Sequence, residues 1–306
     1  MASQTDPRSG PRLLGDWGTS RLRLWWDRDG VIAPWRDGPG VGAIDRPAAQ
    51  VLREILAELH ANERPQSIAL CGMAGARGGL HEAGYVDCPA DRAVWVRQAE
   101  RIDFDGIPLV IAAGVATPVG GHRADVMRGE ETQVFGAIAR DSGLKEGRHT
   151  LLLPGTHSKW VEIEDGAITG FTTYLTGELF ALLGRSTLLS AGVAGRDENA
   201  GFAAGLEQAR GGVLGNGFQA RALQLREGAS GAWASGFLSG LLIGGEIAEV
   251  AALGALPARV PLVGNAKLAK RYAIALASHG TTTQILDAEA VTLAGLALMN
   301  SDNQPC

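Results

Sequence analysis

The sequence predicts an α/β protein made of two similar domains, and three observations carry the prediction. Length is the first: 306 residues are enough for two domains with substantial cores. A repeated hairpin is the second. LLGDWGTSRLRLWW (13–26) and LLLPGTHSKWVEI (151–163) share an apolar lead-in, a Gly-Thr turn and an alternating exit, with Gly18 and Gly155 137 positions apart. Two matched patterns, one opening each half, are the mark of an internal repeat. The third is the succession of short apolar strand, glycine and helical spacing, as in 260–263, Gly264-Asn265 and 266–277.

Composition is that of a soluble globular protein, 45% hydrophobic and 20% charged, with mean hydropathy +0.04. Glycine stands out: 43 residues, roughly twice the usual share. No Gly-X-Y period accompanies them, so they serve turns, close helix packing and backbone approach to a ligand. Cys71, Cys88 and Cys306 form no metal-type spacing and read as free thiols in a reducing cytoplasm. Residues 1–12 are polar and lack an apolar core, so they are expected to be a disordered tail, neither signal peptide nor anchor. No uninterrupted apolar run reaches the roughly 20 residues of a membrane span. A net charge of −5 without a basic block argues against a nucleic-acid surface. No signal speaks for or against a homo-oligomer.

In the first hairpin Leu22, Leu24 and Trp26 alternate with Arg21, Arg23 and Trp25, the period of a half-buried strand. The backbone N–H groups around Gly18, Thr19 and Ser20 can converge on an anionic oxygen. Asp16 beside such a site calls for a cation, so the stretch reads as a phosphate hairpin with Mg²⁺ held by Asp16; an ordinary β-turn reads the same residues without a ligand. Residues 47–60 place Val51, Leu52, Ile55, Leu56 and Leu59 at helical spacing. A strand at 67–71 runs into GMAGARGG (72–79), a loop able to approach a substrate closely or simply a flexible glycine loop, in which Arg77 is suited to a carboxylate. Strands are expected at 94–96 and 109–113. In ADVMRGEETQVFGAIAR (124–140) a helical stripe of Val134, Phe135, Ile138 and Ala139 follows Glu130 and Glu131, which fall in the first turn. The helix dipole alone explains both glutamates; the functional alternative makes one a general base, with Arg128 beside it for an anionic substrate.

The second hairpin departs from the first at one position. Leu153 stands where the first has Asp16, so His157 and Lys159 are the candidates for charge beside Gly155 and Thr156. Beyond it, 175–184 reads as a strand end entering a helix with Glu178 in its first turn. A helix at 235–253, a strand at 260–263, the Gly264-Asn265 turn, a helix at 266–277, a strand at 282–286 and a closing helix at 288–300 complete the chain.

DWGTSRLRLW, GMAG, VMRGEETQ, PGTHSKW, LTGEL, FLSGLLIG and VGN occur in this order over 13–299, and the chain thereby resembles the 2-dehydro-3-deoxygalactonokinase family. The resemblance implies membership of the sugar kinase, heat-shock ATPase and actin superfamily: two ribonuclease-H-like (actin-like ATPase) domains flanking an ATP cleft. It implies domains at 13–140, with the sugar-acid side and a connecting helix, and at 141–287, with the nucleotide side, and then 288–306 returning to the first. Asp16, Gly18, Thr19 and Ser20 resemble the first phosphate loop, Gly155, Thr156 and His157 the second, and Gly264 and Asn265 the adenosine contact. Glu130 or Glu131 resembles the carboxylate near the γ-phosphate, with Asp16 a rival; Arg77, Arg128 and Lys159 are the candidates for the sugar acid. The implied reaction moves the ATP γ-phosphoryl group, with Mg²⁺, to the 6-hydroxyl of 2-dehydro-3-deoxy-D-galactonate. A phosphohydrolase and a non-catalytic ATP-dependent switch of the same superfamily are the alternatives.

Overall fold

The computed structural model of the chain describes residues 10–60, 63–118, 120, 123–185, 195–254 and 256–299. Of the tail expected at 1–12, residues 1–9 lie outside that set, as does Cys306, and the chain is already in strand at Arg12. Two compact units are present. One is Met1–Arg148 with Ile163–Gly170 and Ala288–Cys306; the other is His149–Glu162 with Phe171–Asp287.

In the first unit the chain runs β1 (Arg12–Trp17), β2 (Arg21–Arg28), β3 (Val31–Pro39), α1 (Ala48–Ala57), β4 (Ser67–Gly72), β5 (Tyr85–Asp87), α2 (Arg92–Arg97), β6 (Glu100–Phe104), β7 (Ile107–Ile111), β8 (Gly114–Ala116), β9 (Val126–Met127) and α3 (Glu130–Arg140). Its main sheet has the order β3-β2-β1-β4-β7-β6, and β5-β8-β9 form a small second sheet. β1 is antiparallel to β2 and parallel to β4, which is parallel to β7. The amphipathic face of α1 packs Val51, Leu52, Ile55 and Leu56 into the cluster of Leu13, Trp17, Leu22 and Leu24. Trp25, expected on the open face of β2, is only 2% exposed, so both faces of the sheet are covered at this strand. The strand expected at 94–96 is instead inside α2. Asp91 caps that helix, its Oδ1 accepting the Val94 N–H at 2.7 Å, and the β-favouring Val-Trp-Val run is overridden by burial of Trp95 against Phe135, with ring centroids 4.6 Å apart.

The second unit continues with β10 (Arg148–Leu153), β11 (Ser158–Glu164), β12 (Ala167–Tyr174), α4 (Thr176–Gly184), α5 (Glu198–Ala209), α6 (Val213–Asn216), α7 (Gln219–Glu227), α8 (Gly231–Leu253), β13 (Arg259–Val263), α9 (Ala266–Ala277) and β14 (Thr282–Leu286). Its sheet has the order β12-β11-β10-β13-β14, with β13 parallel to β10 and β14 parallel to β13. Both sheets therefore run third, second, first and fourth strand and then one more parallel strand, with β6 an extra edge in the first unit. The repeat visible in the two Gly-Thr hairpins is a repeat of topology.

α8 begins at Gly231, ahead of the expected 235, because the Ser230 hydroxyl accepts the Trp233 N–H at 3.0 Å. By length and composition α8 is long and apolar enough to cross a membrane, although Glu246 and Glu249 interrupt its apolar run, and 67% of its most apolar window is buried. One face of it is buried against α5, through glycines four apart on each helix, and another against β10, β13 and α9. A Cβ added at Gly205 would stand 2.7 Å from Leu241 N, and one at Gly240 2.9 Å from Leu206 N, so the two backbones touch. Last comes α10 (Ala288–Leu298), which belongs to the first unit and packs on α3 in the same way: a Cβ at Gly136 would meet Gly295 N at 2.8 Å.

Candidate active site

In the first unit the carboxyl ends of β1 and β4 lie side by side, with Asp16 paired in register with Cys71 and Trp17 with Gly72. Ligands of open α/β sheets bind at such strand ends. Asp16 of β1 stands directly opposite Arg23 of β2, whose Nη2 donates to its Oδ2 at 2.6 Å; the Asp16 side chain keeps 22% exposure. Its Oδ1 has the Cys71 thiol at 3.8 Å. Burial, and then the charge of Asp16, push the Cys71 thiol well above its usual range, so it stays protonated. The Gly18 N–H closes the turn onto Arg21 O at 2.9 Å and so does not point at a ligand, which leaves the exposed Thr19 and Ser20.

The GMAG loop and the turn before α3 meet next to Asp16. Gly129, at φ 106°, would place a Cβ 3.2 Å from Gly72 Cα, and a Cβ on Gly75 would meet Arg128 Nη1 at 2.7 Å. Arg128 lies over the Tyr85 ring at 4.3 Å and donates from Nη2 to Ala83 O at 2.7 Å. Its Nε and Nη1 are buried with no hydrogen-bond partner, a state that costs free energy until an acceptor arrives. Arg77 is exposed on the same loop. Glu130 and Glu131 each reach back across the helix start: Glu130 Oε2 accepts the Arg128 N–H at 3.2 Å and Glu131 Oε2 the Gly129 N–H at 2.7 Å. Glu131 is fully buried. Burial first, and then the neighbouring Glu130 charge, push its carboxyl up to about 8, so it holds a proton at neutral pH.

The second unit gathers its candidates at one sheet end too. Pro154 to His157 connect β10 to β11, and Gly264 follows β13, the parallel neighbour of β10; a Cβ on Gly264 would stand 3.1 Å from Pro154 O. Thr156 O accepts the Glu178 N–H at 2.8 Å, Gly177 packs against Gly155 and Thr156, and His157 Nε2 contacts Glu178 Oε2 at 2.9 Å. Thr156, His157 and Asn265 are exposed. Asn265 caps α9, its Oδ1 accepting the Lys267 N–H at 2.9 Å. Lys159 is 4% exposed, with its ammonium on the Thr173 hydroxyl at 2.8 Å and near the Phe171 ring.

Two residues of these sites escape a reading of the sequence. Arg23 is the cross-strand partner of Asp16, and its signal is seven-residue spacing across a tight turn. Glu246 lies beneath the second loop as a lone carboxylate within the apolar run FLSGLLIGGE.

Comparison with known proteins agrees across sequence and structure. The chain is 39% identical over 293 residues to a probable 2-dehydro-3-deoxygalactonokinase of Rhizobium meliloti (strain 1021), covering 92% of this chain and 94% of the relative. It is 31% identical over 287 residues to the 2-dehydro-3-deoxygalactonokinase of Escherichia coli (strain K12), with the same coverage of both chains. A crystal structure of a candidate 2-dehydro-3-deoxygalactonokinase from Sinorhizobium meliloti superposes with a TM-score of 0.84 at 36% identity, covering 96% of this chain and 100% of the other. Component A of the (R)-2-hydroxyglutaryl-CoA dehydratase of Acidaminococcus fermentans shares the fold, with a TM-score of 0.51 at 13% identity over 94% of this chain and 96% of its own. With the 2-keto-3-deoxy-galactonokinase profile matching residues 16–299, the chain belongs to that family.

Proposed function

We propose that the chain is a cytoplasmic kinase that transfers the γ-phosphoryl group of ATP to the 6-hydroxyl of 2-dehydro-3-deoxy-D-galactonate in D-galactonate breakdown. Family membership supports the reaction class. The observation that supports an acidic substrate is Arg128, whose buried Nε and Nη1 lack an acceptor beside the GMAG loop. A carboxylate oxygen is a strong acceptor for either of these N–H groups, because a hydrogen bond between two charged groups is about twice as strong as one between neutral groups. Arg77 is the second cation available to the sugar acid. Lys159, held on Thr173, leaves the substrate set.

In this reading each unit is a ribonuclease-H-like domain and contributes one phosphate loop: Thr19 and Ser20 in the first, Gly155, Thr156 and His157 in the second. Gly264 and Asn265 take the adenosine. Asp16 fits a Mg²⁺ ion that arrives with the nucleotide, since Arg23 holds one oxygen and the other has the Cys71 thiol at 3.8 Å. Such an ion needs one or two carboxylates together with phosphate oxygens, and among the described residues no larger ligand cluster exists. Bound there, Mg²⁺ would offset the phosphate charge. Glu130 accepts the proton of the attacking hydroxyl. Its partial exposure supports that choice over Glu131, which is buried and already protonated; Asp16 remains the rival.

An ADP-release assay across a panel of 2-keto-3-deoxy sugar acids tests the reading. ATP turnover should depend on the acid and yield a 6-phosphate. ATP consumption indifferent to every acid would overturn it in favour of a phosphohydrolase.

A further inference from the structure

Glu246 is 3% exposed in the middle of α8, and every oxygen lone pair it has is answered. Oε1 accepts the Ser158 hydroxyl at 2.6 Å and the Trp160 indole N–H at 2.7 Å; Oε2 accepts the Tyr272 hydroxyl at 2.7 Å and the Thr176 hydroxyl. Four donors fill the acceptor capacity of one carboxylate. They come from three elements: Ser158 and Trp160 from the start of β11, Thr176 from the first residue of α4 and Tyr272 from α9. Ser158 directly follows the Gly155–Thr156–His157 loop, and Thr176 directly precedes the Gly177–Glu178 segment that packs on that loop.

We propose that Glu246 is a positioning residue for nucleotide binding: from beneath, it fastens the second phosphate loop and the start of α4 to the same two oxygens, fixing the cradle that faces the phosphates. This rests on the kinase reading of the loop and goes beyond it, because Glu246 itself touches no substrate. The Trp160 indole can only donate, so one oxygen must remain an acceptor. The three hydroxyls can also accept by rotating. Glutamine at this position therefore keeps the network: its oxygen serves Trp160 and Ser158, and its NH₂ donates to Thr176 and Tyr272. Alanine leaves four buried donors without an acceptor and releases both loops.

The experiment compares wild type, Glu246→Ala and Glu246→Gln by calorimetric MgADP binding without sugar acid and by steady-state kinetics. Glu246→Ala should weaken MgADP binding and raise KM for ATP by at least tenfold, with KM for the sugar acid changed less than twofold. Glu246→Gln should return both nucleotide constants to within threefold of wild type. If Glu246→Ala does not fold, Ser158→Ala and Thr176→Val, each releasing one side of the cradle, should each weaken MgADP severalfold. Unchanged MgADP affinity in a folded Glu246→Ala or in both single-tie variants overturns the proposal, as does an equal loss for both substrates. Wild type that binds MgADP but phosphorylates no sugar acid overturns the substrate assignment and leaves the positioning role standing.

Discussion

Replacing Gly205 by alanine tests the backbone contact between α5 and α8. Two effects oppose each other. Alanine is the better helix former by about 1 kcal/mol, which would stabilise. The added methyl, however, stands 2.7 Å from Leu241 N and nearer still to the Phe237 carbonyl oxygen, where ordinary contact begins at 3.4 Å. Those neighbours are backbone atoms of a buried helix, so the helices must part by at least 3.4 − 2.7 = 0.7 Å along a shared face. Overpacking of this kind costs about 1–3 kcal/mol and here exceeds that range, since no side chain can yield. The expected net loss is therefore about 2 kcal/mol or more, lowering Tm by roughly 2–4 °C per kcal/mol. Gly215→Ala is the control. It lies in the short α6 with nothing within 4 Å of a Cβ and should be neutral or stabilising by up to about 1 kcal/mol. Urea unfolding followed by circular dichroism measures both. Should Gly205→Ala prove as stable as wild type, α5 and α8 have slack and the close-contact reasoning fails.

Asp16→Asn should lower Mg-ATP turnover by at least 10²-fold with Tm within about 2 °C, because the lost ion pair is partly exposed; wild-type turnover would remove Asp16 from the site. Arg128→Ala should raise KM for the sugar acid about 10–100-fold, the worth of a charged hydrogen bond, and shift KM for ATP far less; the opposite ranking assigns it to phosphate. Glu130→Gln should cut kcat by about 10²–10⁴-fold while Glu131→Gln does so much less, and equal mild effects would leave both as residues of the helix start. Glu131→Gln should also change the pH dependence of stability. Between pH 4.5 and 8 the unfolded carboxyl ionises while the folded one cannot, so wild type loses stability as pH rises, by up to about 1.4 kcal/mol per unit. Near pH 7 that amounts to about 3 kcal/mol, and the glutamine variant lacks it. Urea midpoints whose difference stays constant from pH 5 to 8 would contradict the burial argument.

Local patterning made much of the fold legible. Residues 47–60 resolve into α1, 266–277 into α9 and 282–286 into β14, because apolar spacing there agrees with the burial that tertiary packing imposes. It failed where packing overrode propensity. Val94 to Val96 look like a strand, yet the Asp91 cap and the Trp95–Phe135 stack make a helix. Gly201/Gly205 and Gly236/Gly240 pair across two helices, a match that the spacing within either segment does not specify. Site partners were harder still. The bond from Arg23 to Asp16 depends on strand register, and the four donors around Glu246 come from segments up to 88 positions away, a distance local sequence does not encode.

The return of α10 to α3 carries a consequence for biosynthesis. α10 is translated after every element of the second unit, yet Gly295 is the surface on which Gly136 of the first unit closes. On the ribosome, therefore, the first half of the chain emerges early but waits with one helix face uncovered, while the second unit, nearly continuous in sequence, has all its strands available by Asp287. The half made first is completed last.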